Sequence, residues 1–264
     1  YNENENPIVL QLGGNNPDSL AEVSKIANLF NYDEINLNLG CPSPRVSKGG
    51  FGAALMNHPE LVCDCLNAIK ENFNKEVSVK IRLGTDNNDI DETLDKFVEK
   101  IESCKIEVFY VHARKAILKG LSPKQNREIP PLNYERVKKL KEDHPNLKII
   151  INGGIKKLSF LQDNNLQNLD GIMIGREAYS NPLIFKDADN RIESKLDKGI
   201  SLYEITQEMF DYFETLENTS HVKRGLIHMH GLFNGHTEAK KIRILLSNSV
   251  YLQKAKNKIL SILE

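Results

Sequence analysis

The chain has 264 residues, 40% of them hydrophobic and 27% charged, with a formal net charge of −1. That suits one large α/β domain plus a smaller appendage. It excludes a membrane-spanning helix, because no apolar run is long enough, and bulk charge does not mark a polyanion binder.

Cys41, Cys63, Cys65 and Cys104 are too few for a disulfide framework in a chain this long, and a reducing compartment is expected. The first residue is Tyr1 rather than Met, so the natural N-terminus is expected to lie upstream, with a removed targeting segment left open.

After the polar stretch Tyr1 to Asn6, residues Ile8 to Leu12 predict a short buried strand closed by Gly13 and Gly14. Gln11 is the polar exception in that run. Asn16 and Pro17 open a helix whose apolar stripe is Leu20, Val23, Ile26, Ala27 and Phe30. A second strand, Glu34 to Leu39, stops at Gly40-Cys41-Pro42. Gly40 permits a sharp turn and Pro42 bars continuation, so a thiol is presented at the rim.

The glycine-rich stretch Lys48 to Gly52 is flexible, and His58-Pro59 opens a helix to about Phe73. Cys63 and Cys65, two apart in that helix, face different ways and read as buried structural residues rather than a metal pair. Val77 to Arg82 predicts a strand with Lys80 and Arg82 on one face, a costly place for charge unless something anionic or polar meets it.

A helix follows from Ile90 to Ser103, then a strand, Val108 to His112, running into Arg114. From Ala113 to Leu132 about twenty residues lack periodicity, which marks a binding loop or lid. Tyr134 to Asp143 is a helix, and Leu147 to Ile151 a strand ending in Asn152-Gly153-Gly154. A short helix carries Leu158, Phe160 and Leu161, and Gly171 to Ile174 is a strand ending in Gly175-Arg176.

Six strand–helix alternations imply parallel strands with right-handed crossovers. Gln11, Cys41, Lys80, Arg82, His112, Arg114, Asn152, Gly153, Gly175 and Arg176 all fall at strand C-terminal ends. That distribution predicts the active face of a TIM (β/α)8 barrel with six βα units in this chain and the first two outside it. The alternative, a doubly wound sheet, concentrates its ligand residues at one switch point.

Beyond Pro182 the alternation stops. Helical spacing relates Leu202, Ile205, Met209, Phe213 and Leu216, then Val222, Leu226, Met229 and Phe233, then Ala239, Ile242, Leu246 and Val250. The domains are therefore read as a barrel over 1–185 and an all-α domain over 186–264. Residues 186–217 lean acidic, whereas Val222 to Lys258 carries eight Lys/Arg against the single acid Glu238, a bias compatible with a polyanion or with a solvated helix face.

Gly153-Gly154 and Gly175-Arg176, after consecutive late strands, form a phosphate grip: bare N–H groups, helix N-termini and a two-pronged guanidinium. Gln11, Asn38, Lys80 and His112 sit between that grip and the barrel mouth and suit a ring bearing carbonyls and nitrogens, such as a flavin. Cys41 reads as nucleophile, proton donor or buried filler. Free thiols are mostly protonated at neutral pH and can act as acids, and no local signature of a cysteine protease accompanies this one.

Several segments together resemble the tRNA-dihydrouridine synthase family, most closely its A-type branch: NLNLGCPSPR (Asn36 to Arg45), VKIR (Val79 to Arg82), VHARK (Val111 to Lys115), GLSPKQNREIPPL (Gly120 to Leu132), NGG (Asn152 to Gly154), IMIGREAYSNP (Ile172 to Pro182) and GLFNG (Gly231 to Gly235). They cover nearly the whole chain in order.

The resemblance implies an FMN-bound barrel with a helical tRNA-binding domain. NADPH would reduce the flavin, hydride would pass from flavin N5 to C6 of a D-loop uridine, and Cys41 would protonate C5. It implies that Gln11, Lys80 and His112 contact the isoalloxazine or ribityl chain, and that Asn152, Gly153, Gly154, Gly175 and Arg176 hold the phosphate. Asn38, Arg82, Arg114, Asn126, Arg127, Lys240 and Arg243 would meet the flipped uridine or the RNA around it. The family's opening strand, with its Pro-Met flavin turn, and second βα unit are not found in this chain.

A cytoplasmic monomer without metal is expected, an organelle being the alternative compartment. The competing functions are another FMN barrel oxidoreductase acting on a small molecule, of the dihydroorotate type, and an inactive RNA-binding fragment.

Overall fold

The computed structural model describes residues 5–86, 88–186, 188, 199–248 and 252–264. Val250 of the predicted apolar stripe and the first four residues lie outside that set. The chain divides into two compact units, Tyr1–Ile155 with Ser159–Met173, and Lys156–Leu158 with Ile174–Glu264.

The first unit is a six-stranded sheet of β1 (Val9–Leu12), β2 (Glu34–Asn38), β3 (Glu76–Arg82), β4 (Val108–His112), β5 (Lys148–Asn152) and β6 (Gly171–Met173). Every pairing is parallel, and the spatial order is the chain order. A doubly wound sheet reverses its order at a switch point, so this sequential order is that of a TIM barrel wall, with helices between the strands.

Period-two alternation splits the strands into two chemistries. Ile35, Leu37, Val77, Val79, Ile81, Phe109, Val111, Ile149 and Ile151 point at the helical layer and are no more than 4% exposed. The opposite face carries Gln11, Glu34, Asn36, Asn38, Ser78, Lys80, Arg82, Tyr110, His112 and Asn152, aligned across strands by the ladder register. The apolar core therefore lies between sheet and helices, and the inner face is polar.

The helical layer comprises α1 (Pro17–Ala27), α2 (Pro44–Lys48), α3 (Pro59–Asn72), α4 (Ile90–Ser103), α5 (Tyr134–Asp143) and α6 (Phe160–Asp163). Asn16 and Asp89 cap α1 and α4 by accepting N–H bonds of the first turn.

Three expectations are corrected. β1 is an edge strand, with Val9 and Gln11 exposed, not a buried one. On α1 the buried stripe is Leu20, Ser24 and Ala27, while Val23, Ile26 and Phe30 are exposed. An amphipathic helix has a broad apolar sector, and docking against α3 selects one margin of it. Thirdly, Cys63 of α3 is joined to Cys104, directly after α4, by a disulfide, with their Cα atoms 6.0 Å apart. The two cysteines are 41 positions apart in sequence. That spacing carries no pairing signal, and only adjacency of α3 and α4 brings them within bridging range. Cys41 and Cys65 remain free.

Among the described residues the second unit contains α7 (Arg176–Ser180) and four longer helices, Leu202–Glu214, Thr219–His228, Ala239–Asn248 and Leu252–Leu263. Ser201 and Glu204 form a capping box at the first of the four. Its core gathers Phe210, Phe213, Leu226, Phe233, Ile242 and Ile259. Phe210 is fully buried here while the expected Leu202, Ile205, Met209 and Leu216 flank it. Gly231 explains the GLFNG motif: a Cβ there would stand 2.2 Å from the Tyr179 carbonyl oxygen, so α7 packs where only glycine fits.

Candidate active site

β2 ends at Asn38, and its side chain organises the turn that follows. Asn38 Oδ1 accepts the N–H groups of Gly40 and Cys41, each at 3.1 Å. The Cys41 carbonyl accepts from Ala53 N at 3.0 Å. Gly52, with φ of +67°, would place a Cβ 2.7 Å from that carbonyl. Gly40 serves differently from expectation: its φ is not positive, and its value is close approach to β3, since a Cβ would lie 3.2 Å from Lys80 O. The result is a half-buried thiol held at the C-terminal rim.

Lys80 and Arg82 stand close enough to Cys41 that a thiolate there would favour their charged forms. Lys80 Nζ donates to Asn152 Oδ1 at 3.2 Å, and Asn152 Nδ2 donates to the Met173 carbonyl at 2.7 Å. Burial, followed by the charge of Arg82, lowers the Lys80 ammonium to about 8. Arg82 is pulled down to about 10, chiefly by burial, and is still a cation at neutral pH.

Arg82 is 4% exposed and gives its donors to backbone: Nε to Gly40 O at 3.2 Å, and Nη1 to Lys115 O at 3.1 Å and Asn126 O at 3.0 Å. It thereby ties the Cys41 turn to the long loop.

Asn126, fully buried, exchanges two hydrogen bonds with Ile117, accepting its N–H at 2.8 Å and donating to its carbonyl at 2.9 Å. Arg114 Nη1 donates to the carbonyls of Glu128 and Pro130. The predicted binding loop is therefore an ordered structure built on Arg82, Arg114 and Asn126, with Arg127 exposed on it.

His112 ends β4 and is 9% exposed. Gly153 and Gly154 follow β5 with φ of +119° and +70°. A Cβ on Gly153 would lie 2.8 Å from Leu132 Cδ2 and 2.9 Å from His112 Cδ2. Gly153→Ala is therefore expected to lower stability by about 2–4 kcal/mol, through left-handed strain plus overpacking, and to displace the His112 ring. A thermal melt together with the His112 ring resonances checks both effects.

In the second unit, Gly175 and Arg176 form the N-terminus of α7, two and three residues beyond β6. Lys240 is exposed on its helix, whereas Arg243 Nε donates to His230 O at 3.1 Å and so braces its own unit. Lys256, part of the basic bias, pairs with Asp211 and Glu214.

A further polar chain runs along the inner face. Ser78 Oγ donates to Glu34 Oε1, and Tyr110 Oη donates to Glu34 Oε2 at 3.3 Å. Asn36 Nδ2 donates to Ser78 Oγ at 2.7 Å, Gln11 Nε2 to Asn36 Oδ1 at 2.8 Å, and Asn38 Nδ2 to Gln11 Oε1 at 3.2 Å. The signal was present as polar residues at alternate positions, 34, 36, 38 and 78, 80, 82, on strands otherwise aliphatic. Burial raises the Glu34 carboxyl above its ordinary range, and burial with the Glu34 charge pushes Tyr110 up to about 12. Among the described residues no group of three or more His, Cys, Asp or Glu is placed to hold a metal, and no helix is long and apolar enough to cross a membrane.

A family model described as Dihydrouridine synthase (Dus) matches residues 1–264. The chain is 45% identical over 252 residues to the tRNA-dihydrouridine(20/20a) synthase of Shewanella oneidensis, covering 95% of this chain and 75% of that protein. The synthase of the same name from Vibrio parahaemolyticus is 46% identical over 253 residues, covering 95% and 77%. That of Escherichia coli K12 is 45% identical over 253 residues, covering 95% and 73%.

Proposed function

The chain belongs to the dihydrouridine synthase family and is an oxidoreductase of that kind, and from that membership we propose that it reduces D-loop uridines of tRNA to 5,6-dihydrouridine. The expected sites are positions 20 and 20a, as in the names of its relatives. The observation that carries the reading is the free thiol of Cys41 at the rim, with Lys80 and Arg82 beside it on a polar inner face.

Flavin mononucleotide is the proposed cofactor, and the donor set fits it. Lys80, His112 and Gln11 offer cationic and amide groups to the carbonyls and nitrogens of an isoalloxazine or to a ribityl chain. Asn152, Gly153 and Gly154 offer backbone N–H groups and an amide to a phosphate. When bound, the flavin would supply hydride chemistry at C6 of the uracil, with NADPH as the proposed reductant.

The chain's own residues do the rest. Asn38, held in one orientation by the Gly40 and Cys41 N–H groups, receives the base. The Cys41 S–H bond breaks as a C5–H bond forms, which leaves a thiolate. Lys80 and Arg82 stabilise that thiolate by Coulomb attraction until water reprotonates it. Arg82, Arg114 and Asn126 shape the loop next to the base, and the exposed Arg127 and Lys240, with Arg243, meet RNA phosphates.

Two measurements test the proposal. The whole protein is expected to be yellow, with a flavin spectrum bleached by NADPH. Mass mapping of tRNA from a deletion strain is expected to lose dihydrouridine at 20 and 20a. Full retention of both nucleotides rejects the tRNA reading, and a colourless whole protein rejects the flavin.

A further inference from the structure

The inner face carries a hydrogen-bond chain whose direction is set at both ends. At the rim stand the backbone N–H groups of Gly40 and Cys41, which can only donate, and both give to Asn38 Oδ1. At the other end stands the Glu34 carboxylate, which can only accept, and which takes hydrogen bonds from Ser78 and Tyr110. Between them Asn38, Gln11, Asn36 and Ser78 each donate one step towards Glu34. Reversing any single amide would oppose acceptor to acceptor at one contact and donor to donor at the next. At Asn36, which is 3% exposed, such a reversal leaves buried polar atoms unpaired.

We propose that Glu34 is a positioning residue: its carboxylate fixes the direction of this chain, and so holds the Asn38 and Gln11 amides in one orientation and the Cys41 turn in one place. Asn36 and Ser78 are 3% and 0% exposed, so water offers the middle of the chain no substitute. A primary amide has two N–H donors and two lone pairs. The chain uses one donor and one acceptor of Gln11, which leaves one of each, with their sense fixed, for a ligand. That the orientation serves uridine reduction rests on the function proposed above; that it exists does not.

The test uses the whole protein without cofactor or RNA, reading hydrogen–deuterium exchange of the Gly40 and Cys41 amides. Ser78→Ala, a small change at the centre of the chain, is expected to speed that exchange about tenfold, with β4 unaffected. Glu34→Leu is expected to do the same. Glu34→Gln keeps an acceptor oxygen for Ser78 and is expected to recover most of the protection. With substrate, Ser78→Ala is expected to lower kcat about tenfold and leave KM for NADPH unchanged. Unchanged exchange in Ser78→Ala overturns the proposal, and so does Glu34→Gln behaving like Glu34→Leu. Because exchange is read without cofactor or RNA, a response in a protein that does not act on tRNA would support the chain while refuting the uridine reading.

Discussion

Cys41→Ala is expected to abolish dihydrouridine formation while leaving the flavin spectrum and its bleaching by NADPH in place. The thiol is the only part of the Gly40-Cys41-Pro42 turn removed by this change. The backbone bonds that shape the turn, to Asn38 and Ala53, use main-chain atoms that alanine keeps. A positioned proton donor contributes about 10²–10⁴-fold to a rate, and that is the expected loss in single-turnover reduction of tRNA. Cys41→Ser is expected to recover little, because a hydroxyl is a far weaker acid than a thiol. Reduction by Cys41→Ala at the unmodified rate would exclude the thiol as the proton source.

Lys80→Met is expected to stabilise the ligand-free protein and to remove its activity. The Lys80 ammonium is lowered from 10.5 to about 8, mainly by burial. Below pH 8 the folded protein holds an unfavourably placed charge. Between pH 8 and 10.5 the fold releases that proton before the unfolded chain does, so this contribution to stability rises with pH through that window and is lost again as pH falls through 8. The cost at neutral pH is on the order of 1–3 kcal/mol, less what the hydrogen bond to Asn152 returns. Methionine fills similar volume without charge. Chemical denaturation at pH 7 and at pH 10.5 checks this: the variant should be the more stable at pH 7, and the two proteins should converge at the higher pH. A variant less stable at pH 7 would contradict the burial argument. Loss of turnover alongside the gain would show a charge retained for chemistry at the expense of stability.

Much of this was legible in the residues because it is local. The alternation of strand and helix, the helices at Ile90–Ser103 and Tyr134–Asp143, and the rim positions of Cys41, Lys80, His112 and Asn152 follow from period, caps and breakers. The likeness of the NLNLGCPSPR turn and the GLSPKQNREIPPL loop to one family already pointed to the enzyme class.

What only the tertiary structure decided is which atoms meet. The resemblance assigns Arg82 and Asn126 to the uridine or the RNA around it; what the fold adds is that both are buried and engaged with backbone. The Cys63–Cys104 bridge, the apolar margin that α1 buries and the close approach of Gly40 to β3 each depend on neighbours more than 35 positions away or on another element's packing. The chain from Glu34 to Cys41 depends on the ladder register, which sets Gln11 beside Asn36 and Asn36 beside Ser78. Periodicity tells a residue which face it occupies. Register and helix docking, which arise from contacts summed over the whole sheet, tell it whom it faces.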